Sequence, residues 1–349
     1  MKVRYIELAE HLRTGGLEKA AADMAEYLND SGVQVIRGQD NVILDQSLNV
    51  VHFHGLWSPT HYKLARQCWS LGLPTVVSPH GMLEPWAWRH RRWKKWPYFH
   101  LLEKRRLARA DAILATADAE KQNLSEFFPD THIEVLTLGI EPDVAPDFQK
   151  ARELLGWGED ERVLVYLSRI HPKKGLKELL ESLLEVGETE SLSDLRLMIL
   201  GDGPADYESI CRSLVDRLGK IMKVEWIPPQ WGDEKWKYLQ AADLFCLPTY
   251  SENFGIVILE AGMVGTRIFT TTGTPWKHVE EAGFGYVVDP DPANYPGVLR
   301  SFIKAPLESI RNQRDAFSQW TSENYAWPNI VSRYKAFYER IAEAGKGSG

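Results

Sequence analysis

The chain has 349 residues, enough for two ordinary domains that each bury a core. With 44% hydrophobic and 26% charged residues it is globular material, and a net charge of −7 argues against nucleic acid as the default partner. Its three cysteines, Cys68, Cys211 and Cys246, fit neither a disulfide framework nor a zinc spacing and favour a reducing compartment.

The opening "MKVRYIELAEHLRTGG" carries charges throughout and no apolar stretch of signal-peptide length, and no run is long and apolar enough to span a bilayer. A cytoplasmic enzyme is expected, as is peripheral attachment to the inner face of a membrane. Short apolar runs then alternate with amphipathic ones, the pattern of parallel α/β units. Strands are read at 3–8, 50–55, 74–79 and 111–116, with helices over about 17–30, 60–71 and 98–109. "GIEPDVAPDFQ" (139–149) has acids, prolines and no period, so it reads as a linker.

The same grammar restarts beyond it. "RVLVYLSRI" (162–170) is a buried strand, followed by "HPKKG" and the amphipathic "LKELLESLLEV". "LRLMILGDG" (195–203) is a strand ending in a Gly-rich turn. "KVEWIP", the helix "DEKWKYLQAA", the strand "DLFCLPT", "RIFTTTG" and "GYVVDPDP" follow. The chain closes on a long amphipathic helix in "SENYAWPNIVSRYKAFYERIAEA". The expected fold is α/β: two doubly wound domains with a cleft between them and ligands at the carboxyl ends of the strands. The expected bounds are 1–147, 148–322, and a returning helix over 323–349.

"SENFGIVILEAG" (251–262) places Glu252 and Glu260 at the ends of an otherwise apolar stretch. Glu252 is expected in a strand-to-helix turn and Glu260 about two turns into a buried helix. Asn253, Phe254 and Gly255 would form the helix amino end, where free N–H groups and the dipole attract an anion. Carboxylates beside an anion site are acceptors suited to hydroxyls, so phosphate on the helix end with hydroxyls on the acids describes a sugar nucleotide. Glu260, embedded in an apolar run, needs a buried partner.

These residues resemble the Glu-x7-Glu motif of retaining glycosyltransferases of family 4, which have the two-domain GT-B fold. The resemblance extends to "TGGLEKAA" (14–21), "SPHGMLEPWA" (78–87), "SRIHPKKGL" (168–176), "LGDGP" (200–204), "TTGTPW" (271–276) and the "YAWPNI" helix. It implies that Glu260 binds ribose hydroxyls and Glu252 a hydroxyl of the transferred sugar. Arg169 and Lys174 would hold the donor diphosphate, Gly15 and Gly16 would let backbone approach phosphate and acceptor, and His80 would sit beside the donor sugar. It further implies front-face transfer with retention, the departing phosphate taking the acceptor proton. The donor would be a UDP- or GDP-linked sugar, the acceptor a saccharide or lipid-linked hydroxyl, and no separate cofactor is called for.

Arg169, Lys174 and the helix end at 253–255 can supply the positive charge that a metal gives other transferases, so a metal-independent reaction is expected. Asp289 and Asp291 in "DPDP" could mimic a metal-binding Asp-x-Asp, but beside two prolines they read as a turn. His52 and His54 share one strand face at a zinc-compatible spacing without a third ligand, so a place on the acceptor side of the cleft is the reading. "GDGP" is an incomplete dinucleotide fingerprint and reads as a turn. Two rivals remain: a GT-B-fold sugar-nucleotide epimerase, and a non-catalytic lipid- or polyanion-binding protein.

The last rival rests on "WAWRHRRWKKWPYFHLLEKRRLAR" (86–109), which holds nine Lys and Arg against Glu103 alone, together with Trp86, Trp88, Trp93 and Trp96. Tryptophan favours the membrane–water boundary and basic residues favour anionic lipid, so the segment is expected to dock on an anionic leaflet. The alternative is that the tryptophans pack inside the first domain and the charges are simply solvated.

Overall fold

The computed structural model describes residues 1–8, 16–38, 42–89, 92–141 and 147–346. The chain divides into two compact units, Met1–Glu141 with Tyr325–Gly349, and Pro142–Asn324. Each unit is an α/β layer structure around one six-stranded sheet. Among the named strands every pairing is parallel.

In the first unit the strands are β1 (Lys2–Ile6), β2 (Gln34–Ile36), β3 (Val50–His54), β4 (Thr75–Ser78), β5 (Ala112–Ala115) and β6 (Ile133–Val135), in the order β2-β1-β3-β4-β5-β6. β3, β4 and β5 are buried along their whole length, as parallel strands covered on both faces must be. The helix Pro59–Leu71 shows how local sequence sets such elements. Ser58 Oγ accepts from His61 N at its start, Pro59 occupies the first turn, and Gly72 closes it at φ 66°.

The helix Arg314–Tyr325 stops where Ala326 bridges Ile140, and a second helix, Trp327–Lys346, restarts with Pro328 in its first turn. Sequence reading places the long helix after the Trp-Pro break, and Trp327 and Pro328 are its first two residues. The second helix buries Trp327, Ile330, Tyr334, Phe337, Tyr338 and Ile341 against Val3, Tyr5, Met24 and Leu28, so it completes the core under β1.

In the second unit the strands are β7 (Arg162–Leu167), β8 (Leu195–Leu200), β9 (Lys223–Ile227), β10 (Leu244–Leu247), β11 (Arg267–Thr271) and β12 (Gly285–Val288), in the order β12-β11-β10-β7-β8-β9. Chain order runs outward in one direction from β7 and in the other from β10. The switch point therefore lies between these two strands, and the loops leaving their carboxyl ends are where such a sheet takes a ligand.

Several elements differ from the sequence reading. β1 ends at Ile6, a little short of the expected span, while β8 ends at Leu200, just before the expected Gly-rich turn. The short edge strands β2 and β6 and the helices Asp118–Phe127, Phe148–Leu155 and Ala205–Leu218 were not anticipated. Phe148–Leu155 begins inside the segment read as linker, capped by Asp147 accepting from Lys150 N at 3.0 Å.

Candidate active site

The loop after β7 carries Arg169 and Lys174, and the loop after β10 carries Glu252 to Gly255, so the switch point gathers the motif residues of the second unit. The β7 loop is pinned by the turn after β8. Ile170 N donates to Asp202 O at 2.7 Å, and a Cβ on Gly201 or Gly203 would lie 2.0 Å from Ser168 O or 1.9 Å from Ile170 O. The "GDGP" glycines are thus required by backbone packing against the segment that presents Arg169. Arg169 itself is exposed, with no hydrogen bond or ion pair among the described residues.

Lys174 ends the short turn Pro172–Lys174, whose first N–H is capped by His171 Nδ1 accepting from Lys173 N at 3.1 Å. Lys174 Nζ forms an ion pair with Glu252 Oε1, each side chain 13% exposed. Three loops are knitted around this pair. Tyr250 N donates to Lys173 O at 2.8 Å, Thr249 Oγ1 to Lys173 O at 3.0 Å, and Glu252 N to Gly273 O at 2.7 Å.

Gly255 adopts φ 81°, a left-handed conformation natural to glycine, and caps the helix Ile256–Met263. Trp276, buried in the loop after β11, donates from Nε1 to Phe254 O at 2.5 Å and packs edge-on against the Phe254 ring. Glu260 is the fifth residue of the helix, little more than one turn in rather than two. It is buried, and its partner is Lys235, whose Nζ lies 2.5 Å from Glu260 Oε1. Sequence reading missed Lys235. The one signal for it was that a carboxylate in an apolar helix must be compensated.

The first unit holds a separate polar cluster. His52 Nδ1 meets Tyr338 Oη at 2.7 Å and its Nε2 meets Ser78 Oγ at 2.8 Å, while Tyr5 Oη and Tyr338 Oη lie 3.0 Å apart. His52 is therefore spent inside the fold, which corrects its expected place on the acceptor side of a cleft. His54 is also buried and stacks on His80, with His54 Nδ1 3.1 Å from His80 Nε2. Burial, then the neighbouring imidazoles, holds His52, His54 and His80 well below the usual histidine range.

His80 sits at φ 52°, a sparsely populated conformation for a residue with a side chain. The turn is held by Glu120, which accepts from Gly81 N at 2.6 Å and from Thr116 N at 2.8 Å. Burial pushes the Glu120 carboxyl up, against the pull of these hydrogen bonds. Neither His54 Nε2 nor His80 Nδ1, both buried, has a hydrogen-bond partner among the described residues.

Other expected residues resolve simply. Gly15 lies outside the described residues, and Gly16 begins the helix Gly16–Asp30. Asp291 Oδ1 accepts from Ala293 N at 3.0 Å and so serves the turn, while Asp289 Oδ1 accepts from Thr272 Oγ1 at 3.1 Å and ties the turn to the loop after β11. Among the described residues no group of three or more His, Cys, Asp or Glu is arranged to share a metal ion, and no helix is long and apolar enough to cross a membrane.

The chain is similar to known proteins over most of its length. Residues 147–319 match the family Glycosyl transferases group 1, and residues 40–144 match Glycosyltransferase Family 4. A D-inositol 3-phosphate glycosyltransferase of Corynebacterium efficiens is 27% identical over 232 residues, covering 65% of this chain. The chain spans about half the length of that relative, 53%. A sucrose-phosphate synthase from Thermosynechococcus elongatus superposes with a TM-score of 0.78 at 16% identity, covering 98% of this chain and 99% of that one. The Anabaena protein HepE, solved with UDP and glucose, superposes with a TM-score of 0.72 at 16% identity, over 97% of this chain and 100% of that one. The fold is therefore that of the GT-B glycosyltransferases, and the chain belongs to glycosyltransferase family 4.

Proposed function

We propose that the chain is a retaining, metal-independent hexosyltransferase that moves a sugar from a UDP- or GDP-linked donor to a hydroxyl of a saccharide or lipid-linked acceptor. It would serve surface polysaccharide or glycolipid synthesis at the cytoplasmic face of a membrane. The observation that carries this reading is the switch-point cluster, with Lys174 and Glu252 paired, Arg169 exposed and without a hydrogen bond or ion pair among the described residues, and Lys235–Glu260 in the same unit. The solved complex of HepE with UDP and glucose supports a nucleotide-sugar donor.

In this reading residues 148–322 take the donor and residues 1–147 the acceptor, with the helix 323–349 belonging to the acceptor side. Glu260 accepts from the ribose hydroxyls, held in place by Lys235, and Glu252 accepts from a hydroxyl of the transferred sugar. Arg169, Lys174 and the N–H groups at Asn253, Phe254 and Gly255 receive the diphosphate. As the bond between the anomeric carbon and the phosphate oxygen breaks, negative charge grows on that oxygen. One preorganised contact to it is worth about 3–4 kcal/mol. The acceptor oxygen bonds to the same face of the anomeric carbon, and its proton passes to the departing phosphate. Gly15 and Gly16 allow close backbone approach, and the unpartnered His80 Nδ1 serves the donor sugar.

The test is a screen of nucleotide sugars by calorimetry, followed by turnover assays with and without acceptor and with EDTA. Nucleotide diphosphate released only with acceptor present, a product of unchanged anomeric configuration, and activity that survives chelation are expected. Isomerised donor formed without acceptor would replace this reading with an epimerase. Loss of activity in EDTA, restored by manganese, would end metal independence.

A further inference from the structure

We propose that the helical run from Arg92 to Ala108 is a docking element that lies in the surface of an anionic bilayer. It is built from the contiguous helices Arg92–Tyr98, Phe99–Glu103 (a π-helical turn) and Lys104–Ala108. Phe99, Glu103, Arg106 and Leu107 face inward and are buried. Trp93 (74% exposed), Trp96 (51%) and Leu101 (72%) face outward, and the same face continues into exposed Lys104, Arg105 and Arg109. Four of the nine exposed large hydrophobics among the described residues fall between Trp86 and Leu101, so this is a patch rather than scatter.

The tryptophans divide by role. Trp88 packs inside, stacked on Trp57 and edge-on to Phe99 and Phe127, whereas Trp93 and Trp96 stand outside that cluster. The packing alternative thus holds for Trp88 and fails for the other two.

Charge selects the occupant. Glu103, the segment's one acid, is fully buried, where it accepts from Arg106 Nε at 2.8 Å and from Trp57 N at 2.8 Å. The outward face therefore carries only positive charge, on a chain whose net charge is −7. An indole–indole–leucine stripe running into a basic stripe fits the boundary between anionic headgroups and acyl chains, where indoles and aliphatic groups leave water and lysine and arginine meet phosphate. Arg91 lies outside the described residues, as do the side chains of Arg89, Arg92 and Lys94, so the argument uses none of them. The inference rests on the proposed function only for the lipid-linked acceptor that such docking would bring within reach.

The experiment is co-sedimentation with vesicles of phosphatidylcholine alone or mixed with phosphatidylglycerol, at low and high salt. Wild type is compared with Trp93→Ser/Trp96→Ser/Leu101→Ser and with Lys104→Glu/Arg105→Glu. Unchanged circular dichroism checks the fold of these surface variants. Wild type should sediment with the anionic vesicles at low salt and be released at high salt. The charge variant should partition about 10- to 30-fold less, the scale of two basic side chains at an anionic surface, and the apolar variant should also lose binding. Negligible sedimentation of wild type, or binding that the apolar variant retains in full, would overturn the proposal. So would equal affinity for heparin, lost only in the charge variant, which would mark a soluble-polyanion site. Turnover with a soluble acceptor, measured on the same preparations, separates the two readings. Transfer without sedimentation ends the docking proposal alone, and sedimentation without transfer ends the proposed reaction alone.

Discussion

Lys235 Nζ lies 2.5 Å from Glu260 Oε1, tying the first turn of the helix Asp233–Ala241 to the apolar helix Ile256–Met263. Both side chains are nearly buried, so the ammonium lies against the carboxylate out of water and fixes its position. Lys235→Met should weaken nucleotide diphosphate binding by about 10- to 100-fold, the worth of a hydrogen bond to a charged group, with kcat little changed. Calorimetry on Lys235→Met, Glu260→Gln and the double variant checks this. Losses that simply add would mean Lys235 does not act through Glu260.

Arg169→Ala and Lys174→Ala should each slow transfer by about 10²- to 10³-fold, the scale of one lost transition-state contact. Their stabilities should differ. Arg169 has no hydrogen bond or ion pair among the described residues, so the stability of its alanine variant should stay within about 0.5 kcal/mol of wild type. Lys174→Ala strands the half-buried Glu252 carboxylate and should cost about 1–3 kcal/mol. Near wild-type turnover in both variants would remove them from the phosphate site.

Glu260→Ala should weaken donor binding, whereas Glu252→Ala should mainly lower kcat. A ribose contact is present equally in ground and transition states, while a contact beside the reacting carbon is not. Steady-state kinetics with measured donor affinities decides it. Two variants that lose only affinity would take Glu252 away from the sugar.

The first unit should lose stability below about pH 6.5. In the unfolded chain histidine takes up a proton near that pH. In the fold, burial holds His52, His54 and His80 well below it and His61 down at about 4. The unfolded state then binds protons the fold refuses, so this stability is present above pH 6.5 and falls with pH, by about 1.4 kcal/mol per proton per unit. Glu120, pushed up, runs the opposite way and offsets at most one proton. Urea unfolding at neutral and mildly acidic pH measures the slope, and His54→Gln should lower it by about one proton. A pH-independent midpoint across that range would contradict the cluster's neutrality.

Much of this was legible in sequence because the strands of a buried parallel sheet are continuous apolar runs, as in β7, β8, β10 and β11. β2 and β6 are three-residue edge strands, too short to show a period. The helix Asp118–Phe127 buries Glu120 along with Leu124, so its inward face does not look apolar. Ala205–Leu218 carries Tyr207, Cys211, Leu214 and Leu218 at helical spacing and could have been read. At the candidate site, Glu252 and Glu260 stand out as acids around an apolar run, and Arg169 and Lys174 through the family resemblance of "SRIHPKKGL". Lys235 did not, because "DEKWKYLQ" looks like an ordinary solvated face. His52 gave no local hint of Tyr338, which lies 286 residues further along.

The position of Trp327–Lys346 also sets an order of assembly during synthesis. Domains usually complete themselves from the amino terminus as the chain emerges. Here β1 waits for a helix more than three hundred residues further along, since Tyr5 and His52 reach Tyr338 only once that helix has left the ribosome. The second unit is continuous in the chain and has no such wait. A nascent or truncated chain that ends before Trp327 therefore displays the apolar face of Val3, Tyr5 and Leu28, and the core of the first unit closes only when this helix arrives.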